Sequence, residues 1–312
     1  MSTHPPSRSR RILIALTLAI AVTLWVSLRG DSGHPSPGTQ TAAPTAVNSA
    51  EFAKGACMSY PPLEGNRHLT VFLDAGHGGI DPGSVGRTQS GRTIYEADLT
   101  LPVELDTMAL LRRKGFRVVV SRTGNTSVWK LGRDDLDGDL LSAQGVHDDV
   151  AARAICANEA HANVLVGIYF DAGTPQNAGS VTGYDAVRPF AAQNLRLATL
   201  VQRDVLGAMN RQGWGIPSEG VQTDDELGSS LNAVAVNYGH LLLLGPAERG
   251  YFSTPSEMPG ALIEPLFITD PFEGTIAAST RGQHVMASGL AQAIEQYFAP
   301  VRSRGSRARS RG

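Results

Sequence analysis

Three polar side chains stand where the sequence otherwise predicts buried strands or a tight glycine turn. His77 lies in the glycine-rich segment 74–79, directly after an apolar run. Glu96 precedes an amphipathic segment, and Glu264 lies inside the apolar run 261–267. Imidazole and carboxylate groups bind divalent metals, and a carboxylate in a buried strand is costly unless it is paired or binds a cation. These residues are therefore candidates for a metal or catalytic site.

Two of these residues also have an ordinary structural interpretation. A lone histidine beside glycines, such as His77, is more often a loop residue than a metal ligand. Glu96 would also be stabilised simply by standing near a helix N-terminus. Glu264 is the hardest of the three to explain without a function, because isolated acids in buried strands are uncommon.

Alternating strand and helix patterns must position these side chains. Periodicity and glycine breaks predict strands at 68–74, 116–120, 164–170, 240–244 and 261–268, and helices at 97–114, 149–161, 190–211 and 275–298. Pro102 is tolerated only in a first turn, which puts the first helix start near Asp98 or Thr100. The polar stretch 123–147 reads as a long loop. The fold class expected is α/β, a single domain with a mostly parallel or mixed central sheet and helices on both faces.

The N-terminal sequence predicts a membrane segment ahead of this domain. A cluster of arginines precedes an uncharged apolar run of bilayer-spanning length, and a Pro/Ser/Gly/Thr-rich stretch follows it. We expect a signal anchor, with a cleaved signal peptide as the alternative. The expected order is a cytoplasmic N-terminus at 1–11, a transmembrane anchor at 12–28, a flexible extracytoplasmic linker at 29–56, the α/β domain at 57–299 and an Arg-rich disordered tail at 300–312.

Composition and cysteine content narrow the function classes. Hydrophobic residues make up 42% and charged residues 18% of the chain, as in ordinary globular proteins. The net charge of −2 gives no reason to expect a nucleic-acid partner. If the domain lies outside the cell, Cys57 and Cys156 are candidates for a disulfide that closes a loop of about 100 residues, worth ~4 kcal/mol on the chain-entropy model.

Five motifs in order carry a family resemblance: DAGHGG, YEADL, SRT, RAICANEAHANVLVGIYFDA and PGALIEPLFITD. From about Thr70 to the closing helix the chain resembles the zinc-dependent N-acetylmuramoyl-L-alanine amidases, which trim peptidoglycan. The resemblance implies that His77 and Glu96 bind Zn²⁺ and that Glu264 is the catalytic base.

The chain departs from that family at the third metal ligand. The family's usual Ser-Ile-His-Ala-Asn corresponds here to residues 167–171, so Tyr169 stands at the histidine position. Tyr169 and Asp171 share one face of the predicted strand, about 6.6 Å apart, and either is a candidate third ligand. His147, His161 and His240 stay open as alternatives, because the sequence does not place them.

The function implied is hydrolysis of the amide between N-acetylmuramic acid and L-alanine by metal-activated water. The partners expected are peptidoglycan and, through the N-terminal helix, the membrane, with the domain facing the cell wall. Because Tyr169 replaces a metal ligand, a second function stays open: a catalytically impaired relative that binds peptidoglycan or a cell-wall partner. A third is a metal hydrolase acting on another amide or ester.

Overall fold

The computed structural model describes residues 42–47, 50–227 and 238–300. The predicted N-terminus, anchor and most of the linker lie outside these residues, as do residues 301–312 of the predicted tail. Within the described ranges, no helix is both long enough and apolar enough to cross a bilayer.

Twelve strands and five helices alternate along the described residues. The strands are β1 (Thr45–Ala46), β2 (Ala56–Tyr60), β3 (Thr70–Ala75), β4 (Val85–Arg87), β5 (Thr93–Tyr95), β6 (Arg117–Arg122), β7 (Leu136–Asp137), β8 (Leu140–Leu141), β9 (Val164–Ile168), β10 (Ser180–Tyr184), β11 (Ser218–Thr223) and β12 (Gly260–Glu264). The helices are α1 (Glu96–Arg113), α2 (Ala143–Glu159), α3 (Ala191–Asn210), α4 (Pro271–Ala277) and α5 (Thr280–Tyr297).

Eight of the strands form one mixed sheet in the order β1-β2-β6-β3-β9-β12-β10-β11. The central pairs β6–β3, β3–β9 and β9–β12 are parallel, whereas β1–β2, β2–β6 and β12–β10 are antiparallel. The predicted fold class is confirmed: a single α/β domain with a large mixed sheet and helices on its faces. The C-terminal ends of β3, β9 and β12 lie side by side, where sites form in open α/β sheets.

Alternate side chains of the central strands enter two hydrophobic layers, as the two-residue repeat of a strand requires. One layer joins Val71, Val118 and Val166 to α1, α3 and α5. The opposite layer joins Phe72 and Leu165 to α2 and to the leucines of 241–244. Both faces of the sheet are therefore covered.

The predicted helix starts need correction. Helix α1 begins at Glu96, so Pro102 lies in its second turn rather than its first. The Ala97 carbonyl in the preceding turn accepts a hydrogen bond from the Arg122 guanidinium at 2.7 Å, which adds a tertiary contact there. Helix α2 starts six residues before the predicted Asp149, because the Ser142 hydroxyl caps it by accepting from the Gly145 N–H.

The predicted strand at 240–244 is wrong. The backbone there forms a turn, in which the Leu241 carbonyl accepts from the N–H groups of Leu244 and Gly245 at 2.9 and 2.7 Å. The leucines are buried because they cover the sheet beside α2, not because they pair with a neighbouring strand. Apolar runs of this length do not distinguish strands from other buried segments.

The single closing helix predicted for 275–298 is also wrong. Ser279 breaks it, since its hydroxyl caps α5 by accepting from the Gly282 N–H at 2.9 Å. Helix α4 lies before this break, capped by Asp270. Ahead of Cys57, β1 and the first residue of β2 already belong to the sheet.

Cys57 and Cys156 form a disulfide that joins β2 to α2, with a sequence separation of 99 positions and 5.7 Å between their Cα atoms. The bridge lies in the hydrophobic layer on the α2 face of the sheet. It fastens the start of the domain to the helix that also carries Arg153.

Candidate functional site

His77 and Glu96 meet at the C-terminal end of β3. Nε2 of His77 lies 3.2 Å from Oε2 of Glu96, and the Glu96 side chain is buried. The Glu96 carboxylate is held in place by the backbone N–H groups of Ser84 and Phe170, at 2.9 and 2.8 Å. The bond from Phe170 ties the carboxylate to the residue that follows β9, so the geometry of the pair is fixed by the sheet.

Asp81 holds the other side of the His77 ring. Its Oδ2 lies 2.8 Å from Nδ1 of His77, and its Oδ1 accepts from the Gly83 N–H at 3.0 Å. A carboxylate on one ring nitrogen orients the other towards a metal, as in many metal centres. Without a metal, burial opposes the charged imidazole, but Glu96 and Asp81 outweigh burial and raise the pKa of His77 to about 10.

The pKa of Glu96 is shifted in the opposite direction to that of His77. Burial favours its neutral form, but His77 and the two backbone donors outweigh burial and hold its pKa below the usual range. In the metal-free protein, His77 and the buried Glu96 therefore form an ion pair at the pocket surface, and a metal ion must displace the proton between them.

The backbone around His77 is unusual. His77 has φ of 61°, a left-handed conformation that few non-glycine residues adopt. Gly83 has φ of +66°, and a Cβ there would lie 2.6 Å from Cδ2 of His77 and 2.8 Å from Cβ of Glu96. Only glycine leaves room at this position for the histidine–glutamate pair.

Arg153 supports the His77 turn from α2. Its guanidinium donates to Asp74 at 2.6 Å, to Asp149 at 2.7 Å, and to the backbone carbonyls of Ala75 and His77 at 2.7 and 2.9 Å. The Arg153 side chain is 1% exposed, so these contacts are made out of water. The carbonyls on both sides of Gly76 are therefore fixed by one buried cation.

Tyr169 lies beside His77, with the two rings in an edge-to-face contact at 5.4 Å. Its hydroxyl donates to Oδ2 of Asp74 at 3.1 Å, and its ring leaves no space for a Cβ at Gly76. Burial and the Asp74 charge raise the pKa of Tyr169 well above its ordinary value, against the opposing effect of Arg153. Tyr169, which stands where the similar family has its third metal ligand, is thus a neutral phenol that is hydrogen-bonded to the Asp74 carboxylate.

Asp171 and Glu264 line the same pocket as His77, Glu96 and Tyr169, a cavity of about 420 Å³. Glu264 ends β12 and is 6% exposed. Asp171 is 5% exposed, and its Oδ1 accepts from the Ala172 N–H at 2.7 Å. All five site residues predicted from the sequence therefore border one cavity.

His77 and Glu96 supply two of the donor atoms that a metal site needs. Two donors on one tetrahedral zinc ion lie about 3.3 Å apart, close to the observed 3.2 Å. Within the described ranges, no third Asp, Glu, His or Cys joins this pair to complete a compact group of three. The site thus offers two convergent protein ligands, with Tyr169 where a third would be expected.

The other histidines considered from the sequence are not part of this pocket. His147 contacts Asp148 and the Tyr251 carbonyl. His161 lies in the turn after α2, and His240 lies against Asp185 and Asp224. None of the three borders the cavity.

Sequence reasoning missed Asp81 and Arg153. Asp81 could have been found, since it begins an Asp-Pro-Gly turn four residues after His77. Arg153 had no such signal, because its partners Asp74 and His77 lie 76 to 79 residues away in sequence.

A family model, known sequences and solved structures all match this chain to N-acetylmuramoyl-L-alanine amidases. A family model described as N-acetylmuramoyl-L-alanine amidase matches residues 71–296. The N-acetylmuramoyl-L-alanine amidase AmiA of Salmonella typhimurium is 27% identical over 302 residues, covering 92% of this chain and 89% of that protein. An N-acetylmuramoyl-L-alanine amidase from Clostridium difficile 630 has a similar structure, with a TM-score of 0.50 and 26% identity over 76% of this chain and 98% of that one. AmiC2 of Nostoc punctiforme shares the fold, with a TM-score of 0.51 and 22% identity over 75% of this chain and 98% of that one.

Proposed function

Because this chain belongs to the N-acetylmuramoyl-L-alanine amidase family and is a peptidoglycan amidase, we propose that His77, Glu96 and Glu264 carry out its hydrolytic step. The bond cleaved joins the lactyl group of N-acetylmuramic acid to the L-alanine of the stem peptide. The observation that carries the proposal is the approach of His77 to Glu96 at 3.2 Å in a pocket that Glu264 also lines.

His77 and Glu96 are the residues that would hold a zinc ion, and the family is generally zinc-dependent. Zinc bound there would polarise the scissile carbonyl and lower the pKa of water towards about 7. Asp81 keeps the Nδ1 proton of His77 and so presents Nε2 to the metal. Asp171, or a shifted Tyr169, would supply a third protein ligand from the end of β9.

Glu264 has the position of a general base. It ends β12, two strands from His77 in the sheet, and faces the same cavity. Its carboxylate takes a proton from the attacking water and passes it to the leaving amine of L-alanine. General acid–base groups of this kind contribute about 10²–10⁴-fold to a rate.

The pocket offers both apolar and ionisable side chains to a muramoyl-peptide. Leu241, Leu242 and Leu243 form an apolar wall, and His77, Glu96 and Glu264 are among the ionisable residues of the lining. At about 420 Å³ the cavity is within the range of small-ligand sites. It accommodates the residues around the scissile bond, while the glycan and the rest of the peptide extend outside.

The proposal includes an extracytoplasmic location, with the apolar segment 12–28 as membrane anchor or signal peptide. The Cys57–Cys156 disulfide supports it, because such bonds persist in oxidising compartments. Peptidoglycan lies on that side of the membrane, so substrate and enzyme would share a compartment.

The test is digestion of purified peptidoglycan by the wild type and by Glu264→Gln. We expect the substitution to lower the rate at least about 100-fold with no change in metal content. Glu295→Gln is the matched control, since Glu295 pairs with Arg67 and Lys114 at a partly exposed position away from the pocket. Full activity of Glu264→Gln would overturn the role of Glu264. Peptidoglycan binding without hydrolysis by the metal-loaded wild type would overturn the activity.

A further inference from the structure

Asp185, Asp224 and His240 form a second cluster of metal-ligand side chains, and we propose that it binds a divalent cation of the zinc class. Their ligand atoms lie within 4.8 Å of one another, and they are the one such group of three in the described ranges. Nδ1 of His240 lies 3.1 Å from Oδ2 of Asp185 and 3.3 Å from Oδ2 of Asp224. Donors that share one tetrahedral zinc ion lie about 3.3 Å apart.

The two carboxylates are buried and already oriented by backbone groups. Asp185 is fully buried, and its Oδ1 accepts from the N–H groups of Val187 and Arg188 at 2.7 and 2.9 Å. Asp224 is 1% exposed, and its Oδ2 accepts from the Leu241 N–H at 3.0 Å. These bonds fix both side chains before any ligand arrives, which lowers the entropic cost of binding.

The hydrogen bonding of Asp185 Oδ2 also supports a cation at this cluster. This atom is buried and makes no hydrogen bond within the described part of the chain, although it faces Nδ1 of His240. A buried carboxylate oxygen without a hydrogen bond is expensive. A cation between Asp185 and His240 would satisfy it.

The charged groups around the cluster are the two carboxylates, the His240 imidazole and the Arg188 guanidinium, which acts electrostatically on Asp185. Two adjacent buried carboxylates face one imidazole, whose Nδ1 is approached by both. The neighbouring Arg188 guanidinium donates to the carbonyls of Gly245 and Ser256 rather than to either carboxylate. A divalent ion would neutralise both acids and leave the imidazole neutral, which is the form that binds metals. A nitrogen with two carboxylate oxygens suits zinc better than calcium or magnesium, which prefer oxygen ligands alone.

The cluster lies where three segments meet. Asp185 follows β10, Asp224 follows β11, and His240 immediately precedes the leucines that form the apolar wall of the catalytic pocket. A bound ion would therefore fasten residues 241–243 to the edge of the sheet. The proposed role is to shape the substrate pocket from a site that is separate from His77 and Glu96.

Zinc content of the full-length chain in a Glu96→Gln background tests this site without interference from the first. After removal of metal and dialysis against zinc chloride, we expect Glu96→Gln to retain one zinc per chain and Glu96→Gln/His240→Gln to retain none. His284→Gln is the matched control in the same background, because His284 faces Asp106 in an exposed pair, and it should retain one. No zinc on Glu96→Gln, or equal zinc on the His240 and His284 variants, would overturn the proposal.

A second measurement covers the case in which His240→Gln does not fold. Adding zinc to metal-free Glu96→Gln should slow amide hydrogen exchange at residues 238–244 at least tenfold, and an Asp224→Asn substitution should remove this protection. Unchanged exchange on zinc addition would overturn the second site. This result is independent of the proposed activity, since Glu96→Gln removes a ligand of the catalytic centre only.

Discussion

Replacing Arg153 with methionine is the strongest test of how the His77 turn is held. The substitution keeps most of the volume and the flexibility of the side chain but removes the guanidinium. Asp74 and Asp149 would then remain buried without their common cation, and the carbonyls of Ala75 and His77 would lose a donor.

The magnitude follows from these contacts. Removing one partner of a buried ion pair costs about 3–5 kcal/mol, and the His77 carbonyl left without a donor adds about 1–3 kcal/mol. The Ala75 carbonyl keeps a bond from Arg122 Nε at 3.2 Å. These terms overlap, because the buried groups share one partner and water can enter the site. We therefore expect Arg153→Met to lower the free energy of unfolding by about 4–6 kcal/mol, a large part of the usual 5–15 kcal/mol.

Urea unfolding of the metal-free protein measures this loss, and zinc titration of folded Arg153→Met should show affinity lowered about 10–100-fold. The control is Arg203→Met, because the Arg203 side chain is 55% exposed and pairs with its neighbour Asp204. Its cost should be about 1 kcal/mol or less. If Arg153→Met cost no more than Arg203→Met, the idea that Arg153 holds the metal-binding turn would be refuted.

Three further predictions address the third ligand, the pH dependence and the disulfide. Tyr169→His should raise zinc affinity about tenfold and raise amidase activity, because it supplies a third protein ligand and a second ligating nitrogen; calorimetry and digestion assays measure both. In metal-free protein the pKa of His77 is raised to about 10, so its stabilising effect is complete below pH 6.5 and is lost as pH rises through 10. Urea unfolding should show this decline, and His77→Asn should remove it. Cys57→Ser/Cys156→Ser should lower the free energy of unfolding by about 4 kcal/mol, since the bridge closes a loop of 99 residues.

Each of these predictions has a contrary outcome. A Tyr169→His variant with unchanged zinc affinity would mean that position 169 does not face the metal. A pH profile of stability that His77→Asn leaves intact would place the titrating group elsewhere. A thiol-free variant as stable as the oxidised wild type would show that the bridge adds no constraint to the unfolded chain.

The sequence was sufficient to predict the central strands and the polar residues that border the pocket, because their signals are local. His77 follows a strand and precedes glycines, and Glu264 interrupts an apolar run, so each residue is conspicuous within a few positions. The parallel order of β3, β9 and β12 then brings these residues to one edge of the sheet.

The parts that sequence reasoning missed depend on distant contacts. Arg153 meets Asp74 across 79 residues, and His240 meets Asp185 across a segment that contains a helix and a strand. The leucines of 240–244 have the composition of a strand but form a turn, because tertiary packing rather than local preference buries them. Ser142 and Ser279 were the local signals that could have placed the starts of α2 and α5.

Mass spectrometry of peptidoglycan digested by the zinc-loaded wild type tests the central claim most directly. The account predicts release of stem peptides with a free L-alanine amino group and glycan strands with free lactyl carboxylates, and at least about 100-fold slower release of both by Glu264→Gln. Products cut at a glycosidic bond or within the stem peptide, or release by Glu264→Gln at the wild-type rate, would contradict it.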